Sequence, residues 1–319
     1  MTYALYPCCS SEHMALAYAQ SAKAVMDVFD ITLTDIPDWN CCGATEYLSL
    51  NRLAHYALSA RNLALVPEGC SQVITSCSLC YLNLRRADEV MLKNPGIKES
   101  VNAALAEGGV HYEPGGLRIR HLLDIFFNDI GLEVITSKVT SPLAHVRVAP
   151  FYGCMLTRPR GGFDHPEYPT SMDRLLSALG ATVVDFTMKA SCCGGHMPHI
   201  KTTTAYELLR RILKDAAACK ADIIAVSCPV CQMNLDAYQE DVNSCFSTSF
   251  SIPVLFFPQL IGLAFGIDPL ALGIGKEIVS AEPVLSRRRG GSPGAGRTGT
   301  RRDSGTALPM PRPWPGDAR

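Results

Sequence analysis

Cysteines are the residues of this 319-residue chain most able to do chemistry, and ten of the fourteen fall into two similar sets. The first set is Cys9, Cys41, Cys42, Cys77 and Cys80, and the second is Cys154, Cys192, Cys193, Cys228 and Cys231. Each set has a single cysteine, then CCG, then CxxC, with 33 residues between the last two motifs. The last four cysteines of the second set lie 151 positions after the last four of the first set, so the chain contains an internal duplication.

This spacing favours a polynuclear iron–sulfur centre in each half. A CxxC motif at the start of a helix directs two thiolates to one centre, and the helix amides favour their negative charge. Neighbouring thiolates such as Cys192 and Cys193 can bind different irons, which one zinc ion does not offer. A zinc ribbon would also bring two CxxC motifs close in sequence. Zinc binding and thiol redox chemistry remain open as alternatives.

Strands and helices alternate around both sets in the same order. Strands are predicted for six short apolar runs, three in each half: residues 3–7, 30–36, 72–77, 145–154, 181–186 and 222–228. Helices are predicted between them, over residues 14–29, 47–65, 171–179 and 203–219. The pattern indicates an α/β fold with a parallel sheet flanked by helices in each half. Ligand sites of such sheets lie beyond the carboxyl ends of the strands, where both cysteine sets are expected.

Composition divides the chain into three parts. Residues 1–140 and 141–285 are expected to be two pseudo-symmetric domains, with a loop-rich segment over 93–116. Residues 286–319 are rich in Arg, Gly and Pro and are expected to be a disordered tail. This tail carries a net charge of +6. Because the whole chain has a net charge of −1, residues 1–285 carry a net charge of −7. An acidic body gives no support for a nucleic-acid groove.

Several motifs resemble the CCG domains found in the B-type subunits of heterodisulfide reductases. They are "IPDWNCCGAT", "CSLCYLNLRRA", "FYGCMLTRP", "SCCGGH" and "SCPVCQMNLD", and the likeness covers about residues 2–285. The resemblance implies that each half holds a non-cubane [4Fe–4S] cluster bound by the five cysteines of its set. It also implies an oxidoreductase that reduces or forms a disulfide, one sulfur at each cluster, in one-electron steps. The implied partners are a ferredoxin-like C-type subunit and a flavin-containing A-type subunit.

The resemblance leaves the first ligand of the first half open between two neighbours. Family members often have a glycine before this ligand, as Gly153 precedes Cys154, but here Cys8 precedes Cys9. Alignment from the start of the chain favours Cys9. His196 and His199, close behind the second CCG, are candidate proton donors to a product thiolate, with a structural role as the alternative, and His196 is preferred. Arg158 and Arg160 are candidates for attracting an anionic substrate.

A rival interpretation keeps the clusters but not the disulfide chemistry. The chain would then be a CCG-domain electron-transfer subunit of a lactate-, glycolate- or succinate-type oxidoreductase complex, or a protein with structural clusters. No stretch reaches the roughly 20 apolar residues of a membrane-spanning helix, and the first residues do not resemble an export signal. A cytoplasmic location is therefore expected. Cys70, Cys219 and Cys245 fall outside the repeat and are expected to be buried structural cysteines.

Overall fold

Two parallel four-stranded sheets, one in each half, form the frame of the molecule. The computed structural model describes residues 2–11, 14–158 and 162–288. The strands of the first sheet lie in the order β2-β1-β3-β4 and those of the second in the order β6-β5-β7-β8. Their bounds are β1 (Thr2–Tyr6), β2 (Thr32–Asp35), β3 (Gln72–Thr75), β4 (Arg118–His121), β5 (Arg147–Phe151), β6 (Thr182–Val183), β7 (Ile223–Val226) and β8 (Val254–Phe256). The predicted α/β fold of two pseudo-symmetric halves is confirmed.

Helices cover both sheets and connect their strands. In chain order they are α1 (Leu16–Asp27), α2 (Glu46–Leu50), α3 (Arg52–Ala64), α4 (Ser78–Lys93), α5 (Pro95–Ala106), α6 (Leu122–Asp124), α7 (Leu132–Ser137), α8 (Cys154–Thr157), α9 (Ser171–Ala178), α10 (Thr202–Ala218), α11 (Pro229–Ala237), α12 (Gln239–Phe246), α13 (Phe257–Ala264) and α14 (Glu282–Arg288). A π-helix spans Ile125–Ile130 and a 3₁₀ turn spans Met197–His199. Within the described ranges no helix is long and apolar enough to cross a membrane.

The central strands show how closely the two halves repeat. Strand β5 begins and ends 145 positions after β1, and β7 begins and ends 151 positions after β3. Each central pair runs parallel, and β7 is buried along its whole length. Since both β1 and β3 end just before cysteines, as do β5 and β7, the two sets lie at the carboxyl edges of the sheets.

Two local expectations are wrong, and two strands were missed. The segment over 93–116 contains α5, because Pro95 opens the helix where its missing N–H costs nothing and Val101 and Leu105 are buried four residues apart. The single helix over 47–65 is divided at Asn51, whose side chain caps α3 by accepting a hydrogen bond from the Ala54 amide. The outer strands β4 and β8 were not predicted.

The C-terminal part of the second half packs on the first half. Tyr18 of α1 stacks on Phe256 with ring centroids 4.3 Å apart, and Phe29 meets Phe265 edge to face. Helix α14 runs through the predicted boundary at residue 286, and residues 289–319 of the predicted tail lie outside the described residues. The boundaries at 140 and 285 stay predictions.

We expect Gly273→Ala to weaken the packing between the halves. Gly273 has φ +70°, and an added Cβ would lie 2.8 Å from both Cα and Cβ of Ala17 in α1. Overpacking of this kind costs about 1–3 kcal/mol of unfolding free energy. Gly275→Ala is the matched control, because Gly275 also has positive φ but open space where the Cβ would be. The unfolding free energy of both variants is measured by urea unfolding. An equal loss in the two variants would show that the contact between Gly273 and Ala17 is not important.

Candidate metal centre between the two halves

Each CxxC motif begins a helix at the edge of its sheet. Cys77 is the N-cap residue of α4 and Cys228 is the N-cap residue of α11. The second cysteines, Cys80 and Cys231, lie within the first turn of the same helices. Unpaired backbone amides and the positive end of the helix dipole favour thiolate at such a position, and thiolate is the form that binds metal. Hydrogen bonds with neighbouring cysteines and burial nevertheless raise the pKa of Cys77, Cys80 and Cys231, whereas hydrogen bonds from Cys231 and Cys77 lower the pKa of Cys228.

The other cysteines of each set lie against this pair. The Sγ atoms of Cys42 and Cys80 are 3.3 Å apart, and the equivalent atoms of Cys193 and Cys231 are also 3.3 Å apart. In the first half Cys9 hydrogen-bonds Cys41, and in the second half Cys154 hydrogen-bonds Cys192. The structure therefore brings the five predicted cysteines of each set together.

The two sites also meet each other. Cys77 Sγ of the first half lies 4.0 Å from Cys228 Sγ of the second half. The carbonyl of Ser227, directly before Cys228, accepts hydrogen bonds from three side chains of the first half. They are the Tyr18 hydroxyl at 3.2 Å, His121 Nε2 at 3.1 Å and the Ser78 hydroxyl at 3.5 Å. These bonds hold the start of one CxxC motif against the other.

His121 has a defined tautomer at this interface. The Leu123 amide donates to Nδ1, so the ring proton lies on Nε2, which donates to the Ser227 carbonyl. Complete burial lowers the pKa of His121 to about 4. The ring therefore stays neutral and keeps its donor at neutral pH.

The first cysteine of each CCG faces solvent and the second is buried. Cys41 and Cys192 are exposed, whereas Cys42 and Cys193 are buried. A hydrogen bond from the Cys154 thiol lowers the pKa of Cys192 to about 6, and the Gly194 amide and the charge of Arg158 act in the same direction. Hydrogen bonds from neighbouring thiols, Cys42 foremost, lower the pKa of Cys41 to about 2. Both exposed cysteines are therefore favoured as thiolates over their buried neighbours.

Two asparagines that sequence reasoning missed hold the CCG loops. Asn83 Nδ2 donates to the carbonyls of Cys42 and Ala44 and lies 3.4 Å from Cys42 Sγ. Asn234, 151 positions later, makes the equivalent contacts with Cys193 and Gly195. Both are buried on the helices that carry the CxxC motifs. The shared displacement of 151 was the signal that would have revealed them.

The glycine after each adjacent pair is needed for the turn. Gly43 has φ +85° and Gly194 has φ +92°, a region that residues with side chains rarely adopt. An added Cβ on Gly43 would lie 3.2 Å from Tyr47 Cβ. These turns let the backbone double back so that Cys42 and Cys193 point inward.

His196 lies at the second site and is paired across the interface. Its Nδ1 is 2.7 Å from Glu46 Oε1 of the first half, and the Thr45 hydroxyl donates to the same carboxylate. Sequence reasoning missed Glu46. Arg158 is exposed near Cys192, and Arg160 lies outside the described residues.

A largely apolar cavity opens beside the pair of His196 and Glu46. Its wall includes all five cysteines of the second set, together with Leu79, Gly153, Met155, Val230 and His196. Leu79 belongs to the first half, so the cavity lies where the two halves meet. A small apolar molecule that entered it would lie directly against the second cysteine set.

The cysteines outside the repeat are not buried as expected. Cys70 and Cys219 are half-buried and Cys245 is exposed. Cys219 follows directly after α10, where its thiol donates a hydrogen bond to the Asp185 carbonyl. None of these three belongs to the contacts described above.

The donor set fits an iron–sulfur group in each half. All five predicted ligands of each set are thiols, several are buried, and soft thiolates are the ligands that iron–sulfur clusters take. The sulfurs form a chain of contacts rather than a single convergent point. Among residues 2–11, 14–158 and 162–288, no group of Cys, His, Asp or Glu is arranged around one metal ion.

Comparison with known proteins defines the class of the fold. The family model described as "CCG: Cysteine-rich domain" matches residues 3–85 and 148–236, which together make up more than half of the chain. A solved structure of a hypothetical protein from Helicobacter pylori superposes with a TM-score of 0.69 and 19% identity. It covers 88% of this chain, which spans about half (52%) of that protein. At this identity the likeness shows the fold.

Relatives of known name lie closer in sequence. The chain is 36% identical to an 8-methylmenaquinol:fumarate reductase membrane anchor subunit of Wolinella succinogenes, over 88% of this chain and 97% of the relative. It is 33% identical to the B-type subunit of a ferredoxin:CoB-CoM heterodisulfide reductase from Methanosarcina mazei, over 84% of this chain and 90% of the relative. The chain belongs to the CCG cysteine-rich family that includes the B-type subunits of heterodisulfide reductases, as its motifs predicted.

We expect Asn83→Asp to reduce metal loading of the first half. A carboxylate cannot donate to the carbonyls of Cys42 and Ala44, and its charge would repel the thiolates beside it. Iron bound after anaerobic reconstitution should fall by about half, and Asn234→Asp should have the same effect on the second half. Asn94→Asp, on an exposed residue, is the control. Unchanged iron in both buried variants would refute the role of these asparagines.

Proposed function

We propose that the chain is an iron–sulfur subunit of a heterodisulfide-reductase-like complex, with one non-cubane [4Fe–4S] cluster in each half. Such clusters supply one-electron transfer and a metal to which sulfur binds. The proposed ligands of the first cluster are Cys9, Cys41, Cys42, Cys77 and Cys80. Those of the second are Cys154, Cys192, Cys193, Cys228 and Cys231. Cys9 is chosen because its contact with Cys41 repeats the contact of Cys154 with Cys192.

The 4.0 Å contact between Cys77 Sγ and Cys228 Sγ carries this proposal. Two cysteine sets that touch across an interface can share two electrons between them, one at each site. A disulfide needs two electrons and two protons to become two thiols. The joined arrangement therefore supports a two-electron reaction on sulfur better than two isolated electron carriers would.

The cavity lined by the second set is the place where the second cluster would lie, and a proton donor forms part of its wall. The apolar wall would keep water away from a sulfur bound to that cluster, and His196 belongs to this wall. The Glu46 carboxylate holds Nδ1 of the ring. In disulfide reduction His196 would give its proton to one product thiolate, and the reverse transfer would assist disulfide formation.

A second candidate function is supported by the relative from Wolinella succinogenes. That protein is named as the membrane anchor subunit of an 8-methylmenaquinol:fumarate reductase and matches this chain over 97% of its own length. In this version the same two clusters pass electrons between a quinol and a dehydrogenase partner, with no disulfide. The first version would require the partners that the family resemblance implies, a ferredoxin-like C-type subunit and a flavin-containing A-type subunit.

The proposal predicts both metal content and a product. Anaerobically reconstituted chain should bind about eight irons, four for each half. Once reduced by titanium(III) citrate and freed of excess reductant, it should release about two thiols from an added asymmetric disulfide. A preparation with stoichiometric zinc and no iron would refute the cluster proposal. Iron-loaded protein that reduces a menaquinone analogue but no disulfide would establish the second candidate.

We expect His196→Gln to slow disulfide reduction about 100-fold, because a positioned proton donor contributes at least this factor. Glu46→Gln should slow it less, since it removes the orienting charge and leaves the imidazole. Iron content should be unchanged in both variants. His199→Gln is the control, an exposed histidine three residues away. Equal rates for His196→Gln and His199→Gln would exclude His196 as the donor.

A further inference from the structure

Cys8 occupies the position in the first half that Gly153 occupies in the second. Strands β1 and β5 align with a displacement of 145, and the same displacement relates Cys9 to Cys154. Cys8 and Gly153 are therefore the residues directly before the equivalent cysteines. The first half therefore has one additional thiol at this position, although the CCG and CxxC motifs of the two halves are the same.

The Cys8 thiol lies inside the first cysteine set. Cys8 is 1% exposed, and its thiol interacts with those of Cys77 and Cys80. Ser11 Oγ lies 3.3 Å from Cys8 Sγ on the remaining side. A sulfur in this place can reach the same metal group as the two cysteines of the CxxC motif.

The second half has no side chain at the same place, and its glycine packs closely on the CxxC motif. An added Cβ on Gly153 would lie 3.1 Å from Sγ of Cys231, which is the equivalent of Cys80. Gly153 instead forms part of the wall of the apolar cavity. Position 8 therefore adds a sulfur beside the CxxC motif of the first half, whereas the equivalent position of the second half adds none.

We propose that Cys8 is a sixth thiolate ligand that closes the first site, so that an external sulfur or other ligand binds only at the second site. This inference rests on the proposed iron–sulfur function and deepens it. The first site then serves as an electron relay, and Cys77 and Cys228 join it to the reacting site. The symmetric arrangement implied by the resemblance, with one substrate sulfur at each cluster, does not apply in this proposal.

The decisive experiment counts open irons in the reconstituted full chain. The protein is loaded with ⁵⁷Fe and titrated with 2-mercaptoethanol, and Mössbauer spectra give the share of iron whose signal shifts. In the unchanged protein we expect about one iron in eight to respond at saturation. In Cys8→Gly, which copies the second half, about two in eight should respond, with total iron unchanged.

Matched variants separate the possible outcomes. Cys70→Ser, a half-buried cysteine outside both sets, should leave the shifted fraction unchanged. Cys8→Ala should behave like Cys8→Gly. This agreement would exclude the greater backbone flexibility of glycine as the cause of the change. Cys9→Ser should lose iron, because it removes one of the five proposed ligands.

Two results would overturn the inference, and neither is the failure of the proposed function. Two responding irons in the unchanged protein would show that the first site is already open. One responding iron in both Cys8 variants, at full iron content, would show that Cys8 does not close it. Failure of the proposed function itself would appear as protein without iron, whatever residue stands at position 8.

Discussion

Two helix N-termini meet at the centre of this molecule, and the arrangement of the rest follows from that contact. Helices α4 and α11 begin directly after their N-cap residues Cys77 and Cys228, whose sulfurs are 4.0 Å apart. Two positive helix ends facing each other are unfavourable unless negative charge lies between them. Metal-bound thiolates would supply that charge, so the electrostatics of the interface and the proposed chemistry of the site depend on the same atoms.

The first half maintains this contact through neutral donors. Tyr18, Ser78 and His121 all donate to the carbonyl of Ser227, and burial keeps His121 uncharged. Neutral donors position Cys228 without adding a charge that would compete for the thiolates. A lysine or arginine in their place would pair with a sulfur and withdraw it from a metal. These polar contacts therefore fix the position of Cys228, and the charges at the interface come from the cysteines and the helix ends.

Duplication made much of the structure predictable. A displacement of 151 between cysteine motifs predicts equivalent strands, equivalent helix starts and a shared edge of each sheet, and all three are observed. Contacts between the halves could not be predicted in this way, because no sequence pattern within one half specifies them. Glu46 opposite His196 is such a contact. Local patterns also mislead where tertiary burial decides, as in α5, where Val101 and Leu105 outweigh the turn-forming residues around Pro95.

The packing of the C-terminal segment on α1 has a consequence for synthesis. Tyr18 of α1 is fully buried and stacks on Phe256, and Gly273 lies directly on Ala17. These covering residues leave the ribosome more than 200 residues after α1. Until then a nascent first half exposes an apolar helix face and an incomplete thiol pocket. Such a chain needs protection from aggregation and from oxygen, and its metal is best delivered after translation ends.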